Sequence, residues 1–193
     1  MAFMWGIGPG FRERHPDVAR LLAAHTPAAT DEVAWMDGAL PLRVSAHAGV
    51  ADLPDELVTS VRCVVRVGEL VVFCENVDGG HVLPGGRREP DETHADTARR
   101  EVHEETGWLL DGERLRPLGW LHFEHLAPRR PDYAYPCPDF LQVVFQGTAT
   151  ERAGGSDWTD TDGYELRSRL VSVAEARRTS LNGPLASTFL DLL

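Results

Sequence analysis

The sequence predicts a mixed α/β fold, and three observations carry that expectation. Two β-branched runs, Val61–Val67 and Leu70–Cys74, are joined by Gly68-Glu69 in the manner of a hairpin. A stretch with helical periodicity, Thr93–Thr106, follows a Pro84-Gly85-Gly86 break. Strand-like segments then resume at Gly119–His125, Phe140–Thr148 and Glu165–Val173, and helical patterns follow at Ala174–Arg178 and Pro184–Leu193. The order β-β-β-α-β-β-β-α belongs to a mixed sheet with one central helix.

Ahead of this pattern, residues 16–25 read as a short amphipathic helix. Pro16 suits its first turn, Val18, Leu21 and Leu22 supply the apolar stripe, and Thr26-Pro27 stops it. Glu32–Met36 and Leu40–Ala46 flank Asp37-Gly38, a dipeptide suited to a tight hairpin turn. We place the main domain at residues 59–193 and treat residues 1–58 as an N-terminal helix-and-hairpin extension. Its expected role is a lid over the pocket or the interface of a homodimer.

Within the main domain, Asp78-Gly79-Gly80 should turn the chain into a short strand, His81–Leu83. Pro84-Gly85-Gly86 ends it, because proline donates nothing to a ladder and glycine accepts unusual dihedrals. The helix should start on a Thr93/Asp96 cap and stop at Gly107, with Ala95, Ala98 and Val102 facing the sheet. Pro128–Pro138 and Ala153–Gly163 read as long loops, a length often tied to function.

Composition narrows the partners. The chain has 193 residues, 42% of them hydrophobic and 25% charged, enough for a cored domain without staples. Its net charge of −11 repels long nucleic acids, whose binding needs a concentrated basic surface. Local arginine pairs, Arg87–Arg88, Arg99–Arg100 and Arg129–Arg130, still suit a small phosphorylated ligand. Cys63, Cys74 and Cys137 form neither a disulfide framework nor a zinc pattern, and the first two sit in runs that suit buried core thiols. No membrane span and no signal peptide is evident, so a cytoplasmic location is expected.

The chemistry concentrates between Gly86 and Trp108. Glu101, Glu104 and Glu105 stand at i, i+3 and i+4, so three carboxylates leave one side of a helix. They repel one another and lie near the helix C-terminus, where the macrodipole disfavours anions. A hard divalent cation relieves both penalties, and carboxylate, phosphate and water oxygens are the usual surroundings of Mg²⁺. An acidic, solvated helix face is the bland alternative for these three residues taken alone.

They do not stand alone. Gly86, Glu92, Arg100, Glu101, Val102, Glu104, Glu105 and Gly107 match the spacing G-x5-E-x7-R-E-U-x-E-E-x-G-U, in which U is aliphatic. Chance agreement is on the order of one in a million from average residue usage. Trp108 is the single departure; it keeps the apolar character of the last position and leaves the acidic residues intact. The segment resembles the Nudix box, and the likeness extends over roughly Thr59–Ala176.

That resemblance implies a Nudix α/β/α sandwich and hydrolysis of a diphosphate linkage in a small nucleoside-diphosphate-type substrate. It implies that Glu101, Glu104 and Glu105 hold Mg²⁺, with Mn²⁺ a possible substitute. Glu92 and Arg100 would form an ion pair fixing the helix and its loop, and Gly85, Gly86 and Arg87 would face the phosphates. The general base is left between Glu101 and a later glutamate, for which Glu165 is the choice here. A non-catalytic Nudix-fold sensor of nucleotides or nucleotide sugars is the alternative; retention of all three box glutamates favours the enzyme.

Weaker signals remain. Asp157, Asp160 and Asp162 do not complete a calcium loop, because Trp158 and Arg169 occupy ligand positions. His122 and Glu124 share one strand face on which they could line the pocket, with His125 turned away. Tyr133, Tyr135 and Phe140 read either as a stacking surface for a base or, more commonly, as packing beneath a loop.

Overall fold

A computed structural model describes residues 13–128, 135–153, 163–181 and 183–193. The Arg129–Arg130 pair, Tyr133 and the aspartates between 157 and 162 lie outside the described residues.

Helix α1 (Pro16–Ala24) opens the described chain, and its buried stripe is Val18 and Leu21. Strands β1 (Ala29–Trp35) and β2 (Leu40–Ala48) form the expected hairpin. Its turn needs positive φ at Met36, Asp37 and Gly38, a conformation that glycine and aspartate tolerate better than methionine. The main domain continues with β3 (Val58–Val67), β4 (Leu70–Asn76) and β5 (Gly79–His81). The short strand thus begins on the glycines themselves, two residues earlier than their turn chemistry suggests.

Helix α2 (His94–Thr106) follows. Thr93 caps it by accepting the Asp96 N–H, and Asp96 reaches back to the Thr93 N–H. Gly107, at φ 72°, closes it through an N–H···O bond to His103. Ala98 and Val102 are buried as expected, but Ala95 is only partly covered, and Thr97 and Glu101 complete the buried stripe. After it come β6 (Trp108–Leu110), β7 (Arg116–His125), β8 (Asp139–Arg152), β9 (Glu165–Ser172), α3 (Val173–Thr179) and α4 (Gly183–Leu190).

The strands run in the order β1-β2-β7-β8-β3-β4-β5, with β6 on β8 and β9 on β4. All pairings are antiparallel except β3 with β8. The N-terminal hairpin belongs to this sheet, since β2 pairs with β7 from Leu42↔His125 to Ala48↔Gly119. Alternation along the strands makes two cores. Val61, Cys63, Val65, Leu141 and Val143 pack against α1 and α2 on one face, while Val64, Phe140 and Val144 pack with α3 and α4 on the other. Cys63 and Cys74 are buried thiols, as their surroundings in the sequence suggested.

One topological feature positions the site. Strand β4 pairs with β3 only at Arg66↔Val71 and Val67↔Leu70, then passes that edge to β5 at Cys74–Asn76. The vacated edge of β3 is taken by the segment after β5: Cys63 N–H bonds Pro84 O, Val61 N–H bonds Gly86 O, and Arg88 N–H bonds Thr59 O. The backbone groups of β3 are thereby satisfied by a loop instead of a strand. Among the described residues no helix is long and apolar enough to cross a membrane.

Candidate active site

The loop at Gly85–Gly86 is pressed between β3 and α2. Gly85 has φ 143°, and a Cβ there would collide with the Val61 carbonyl oxygen. A Cβ on Gly86 would meet the Glu101 carboxylate instead. The sequence Gly-Gly is therefore required twice over, once for backbone geometry and once so that the loop can lie directly on the helix carboxylates.

Arg100 gathers the box. Its guanidinium grips Glu92 at two points, Nε to Oε1 at 2.7 Å and Nη2 to Oε2 at 3.0 Å. The same group donates to Glu101 at 2.8 Å, to Glu104 at 2.9 Å and to the Arg87 carbonyl at 2.9 Å. Glu92 also accepts from Thr97 Oγ1 and from the Glu89 N–H. The Arg100 hydrogen bond, outweighing desolvation, holds the Glu92 carboxyl down to about 2.

Glu105 accepts the Gly85 N–H at 2.7 Å. Burial pushes its carboxyl up to about 7, despite the nearby Arg62 and the Gly85 bond, and the charges of Glu165 and Glu101 add to the rise. Burial also raises Glu101, although Arg100 opposes it. Partly desolvated carboxylates crowded beside a glycine loop make an oxygen-rich donor set suited to a hard divalent cation. Their chemistry suits such a cation, with Arg100 and the Gly85 N–H as the groups now bonded to these oxygens.

Glu165 opens β9 opposite Asn76 of β4. Its Oε1 lies 2.7 Å from His81 Nε2 and accepts from Asn76 Nδ2 at 3.3 Å. Glu165 is buried, and its charge is among those that raise the Glu105 carboxyl. Arg87 turns its guanidinium over the Tyr135 ring, 4.9 Å from the centroid. Tyr135 in turn stacks on Phe140, which stacks on Phe123 at 4.6 Å. Phe140 is fully buried and serves as core packing, while Tyr135 is only partly buried. Trp35 of the N-terminal hairpin tilts against both phenylalanines.

His122 and Glu124 take part in an ion network. His122 pairs with Asp139 at 2.7 Å, Arg14 bridges Asp139 and Glu124, and Arg43 binds Glu124 and Glu32. Burial raises the Asp139 carboxyl, but hydrogen bonds from His122 and Arg14 outweigh it and the net is a lowered value.

Sequence reasoning missed Arg62 and His81. Arg62 donates to the Gly85 carbonyl, to Leu83 O at 3.5 Å and to Gln142 at 3.3 Å, clamping the loop from beneath. The available signal was a lone arginine inside the apolar run Val61–Val65, which only a buried polar acceptor could justify.

Two solved structures resemble this one. The Bacillus subtilis pyrophosphohydrolase BsRppH superposes with a TM-score of 0.50 at 20% identity, over 73% of this chain and 77% of that one. A Nudix hydrolase from Nitrosomonas europaea gives 0.49 at 20% identity, over 68% and 84%. At such identity the likeness is one of fold. No curated protein matches the sequence. A family model described as the NUDIX domain matches residues 56–192, which takes in the whole glycine-loop, helix and Glu165 constellation. The chain belongs to the Nudix family of pyrophosphate-bond hydrolases.

Proposed function

We propose that this protein is a Mg²⁺-dependent hydrolase that cuts the diphosphate linkage of a small nucleoside-diphosphate-type substrate, a nucleoside di- or triphosphate or a nucleotide sugar. The observation that carries the reading is the meeting of Glu101 and Glu105 with the Gly85–Gly86 backbone, one carboxylate beneath each glycine.

Glu101, Glu104 and Glu105 would hold the metal. Bound there, Mg²⁺ or Mn²⁺ would supply charge neutralisation for the diphosphate and a more acidic water. The chain's own residues do the remainder. Gly85 and Gly86 would lend backbone groups to the metal and phosphate site. Arg100 fixes Glu92 and the box carboxylates in rotation, and Arg62 holds the loop carbonyls. Arg87, at the end of the loop and over the Tyr135 ring, would offer a cation to the phosphates. A proton leaving the attacking water would be accepted at a carboxylate oxygen of Glu165, with Glu101 the other candidate. Residues 59–193 form the catalytic domain in this reading. Ahead of it, β1 and β2 extend the same sheet, with Trp35 reaching the aromatic cluster next to Arg87.

The test is release of phosphate and pyrophosphate, with and without Mg²⁺, across nucleoside di- and triphosphates, nucleotide sugars and dinucleotides. Metal-dependent cleavage of one class supports the proposal and identifies the substrate. Silence across the panel, with a ligand still raising the melting temperature, would replace it with the sensor reading. Glu104→Gln should lower turnover by orders of magnitude while leaving the fold intact.

A further inference from the structure

Three strands converge on one small cluster. Cys74 lies directly opposite His81 across β4 and β5, and Asn76 directly opposite Glu165 across β4 and β9. Residues 74 and 76 share a face of β4, so all four side chains meet on the side that packs against α2. The Glu165 side chain is 1% exposed and that of His81 20%.

The protonation of His81 follows from its partners. Its Nδ1 accepts the Leu83 N–H at 3.3 Å. An acceptor nitrogen carries no proton, so the neutral ring holds its proton on Nε2, and that N–H donates to Glu165 Oε1 at 2.7 Å. Asn76 donates to the same oxygen. Two donors on one oxygen fix the rotation of the carboxylate. The segment that carries His81 runs straight into the loop: Leu83 O and Gly85 O accept from Arg62, and the Gly85 N–H donates to Glu105. His81 therefore links the setting of Glu165 to that of a box carboxylate.

The donor atoms of Cys74, His81 and Glu165 lie within 4.8 Å of one another, a sulfur–nitrogen–oxygen set that suits zinc. A histidine bound to metal normally donates its other ring N–H to an acceptor. Here the other nitrogen is itself an acceptor, and a metal on Nε2 would drive a proton onto Nδ1, against the Leu83 N–H. The geometry favours the hydrogen-bonded pair.

We propose that His81 is a positioning residue for Glu165, fixing by its Nε2–H the carboxylate that takes the proton from the attacking water; this rests on the reading of Glu165 given above. The test compares kcat and KM for the wild type, H81L, H81Q, E165Q and the H81L/E165Q double variant with Mg²⁺, using GTP and UDP-glucose as probes. Melting temperatures are followed in parallel. The expected result is that H81L lowers kcat about tenfold or more with KM little changed. H81Q, which retains an N–H donor of similar reach, should recover most of that loss. In the E165Q background H81L should cost almost nothing further, because a residue acting through Glu165 has nothing left to position.

An H81L loss of equal size in both backgrounds, or no recovery by H81Q, overturns the role of His81 while leaving Glu165 in place. Wild-type turnover in E165Q sinks the reading of Glu165, and the positioning role with it. If the wild type cleaves neither probe, both fall for these substrate classes. Nitrogen NMR of the His81 ring in the metal-free protein gives a readout independent of turnover: a proton on Nε2 is expected. A proton found on Nδ1, or tight stoichiometric Zn²⁺ uptake that H81L abolishes, would make the cluster a metal site instead.

Discussion

The Glu105 carboxylate accepts the Gly85 N–H at 2.7 Å, and this one bond fastens the end of helix α2 to the loop that fills the vacated edge of β3. Both partners are constrained for separate reasons. Gly85 cannot carry a side chain because the Val61 carbonyl occupies the space, and Glu105 is held in a desolvated position where its charge is unwelcome. A cation placed at the box would relieve the second strain without disturbing the first.

The two glycines should therefore fail differently when changed to alanine. Gly85→Ala places a Cβ against backbone, at a φ that L-residues avoid, and nothing nearby can yield. It should destabilise the fold by several degrees in melting temperature. Gly86→Ala meets first the end of the Glu101 side chain, which can turn aside at the cost of its Arg100 bond. Its stability should change little while turnover drops sharply, because the displaced group is a proposed metal ligand. Equal effects on stability from the two would refute this division.

Glu105 gives a pH signature in the metal-free protein. Its folded carboxyl sits at about 7, above its value of 4.5 in the unfolded chain, so between these values the folded state holds more protons. Stability must then fall as pH rises through that window. Glu105→Gln should remove this fall: measured in EDTA, the mutant should equal the wild type near pH 4.5 and melt roughly 5 °C higher by pH 8. Saturating Mg²⁺ should shrink or reverse that advantage, since the mutant loses a charged ligand. A difference independent of pH would show that Glu105 is not the group responsible.

Arg100 should not tolerate lysine. Its three guanidinium nitrogens serve Glu92, Glu101, Glu104 and the Arg87 carbonyl together, and a single ammonium cannot span that fork. Arg100→Lys keeps the charge yet should lower turnover by about tenfold or more and destabilise by about 1–2 kcal/mol. Activity close to wild type would mean that charge alone, rather than bidentate geometry, organises the box.

What was legible in the sequence was what is locally encoded. The Thr93 cap, the Gly107 stop and the glutamate spacing all act within a few residues, so helix α2 and its carboxylates could be read directly. Strand β6 escaped because three residues, Trp108–Leu110, carry too little periodicity and are ordered by pairing with β8. Arg62 and His81 escaped because their importance depends on β4 changing partners, which exposes the edge of β3 to the glycine loop. The hairpin at residues 29–48 was recognisable from its turn, but its place beside β7 is a tertiary fact.

His47 has no part in the proposed chemistry. His47 and Trp120 face each other across β2 and β7 with ring planes 2° apart and centroids 3.8 Å apart. His47 is 1% exposed, and neither of its ring nitrogens has a hydrogen-bond partner among the described residues. Burial, then the charges of His122 and His25, hold it down to about 4, whereas the unfolded chain would titrate it near 6.5. The unfolded state thus takes up a proton first as pH falls, and His47 draws stability away between pH 6.5 and 4. His47→Phe keeps the stacked ring and removes two unpaired polar atoms, which should stabilise the protein by about 1 kcal/mol at neutral pH. The gain should widen as pH drops from 6.5 to 4.5, because the substituted ring cannot titrate. Thermal melts of both proteins across that range decide the matter: a loss of stability in His47→Phe, or a gain that stays constant with pH, would mean that the imidazole is satisfied in the fold after all.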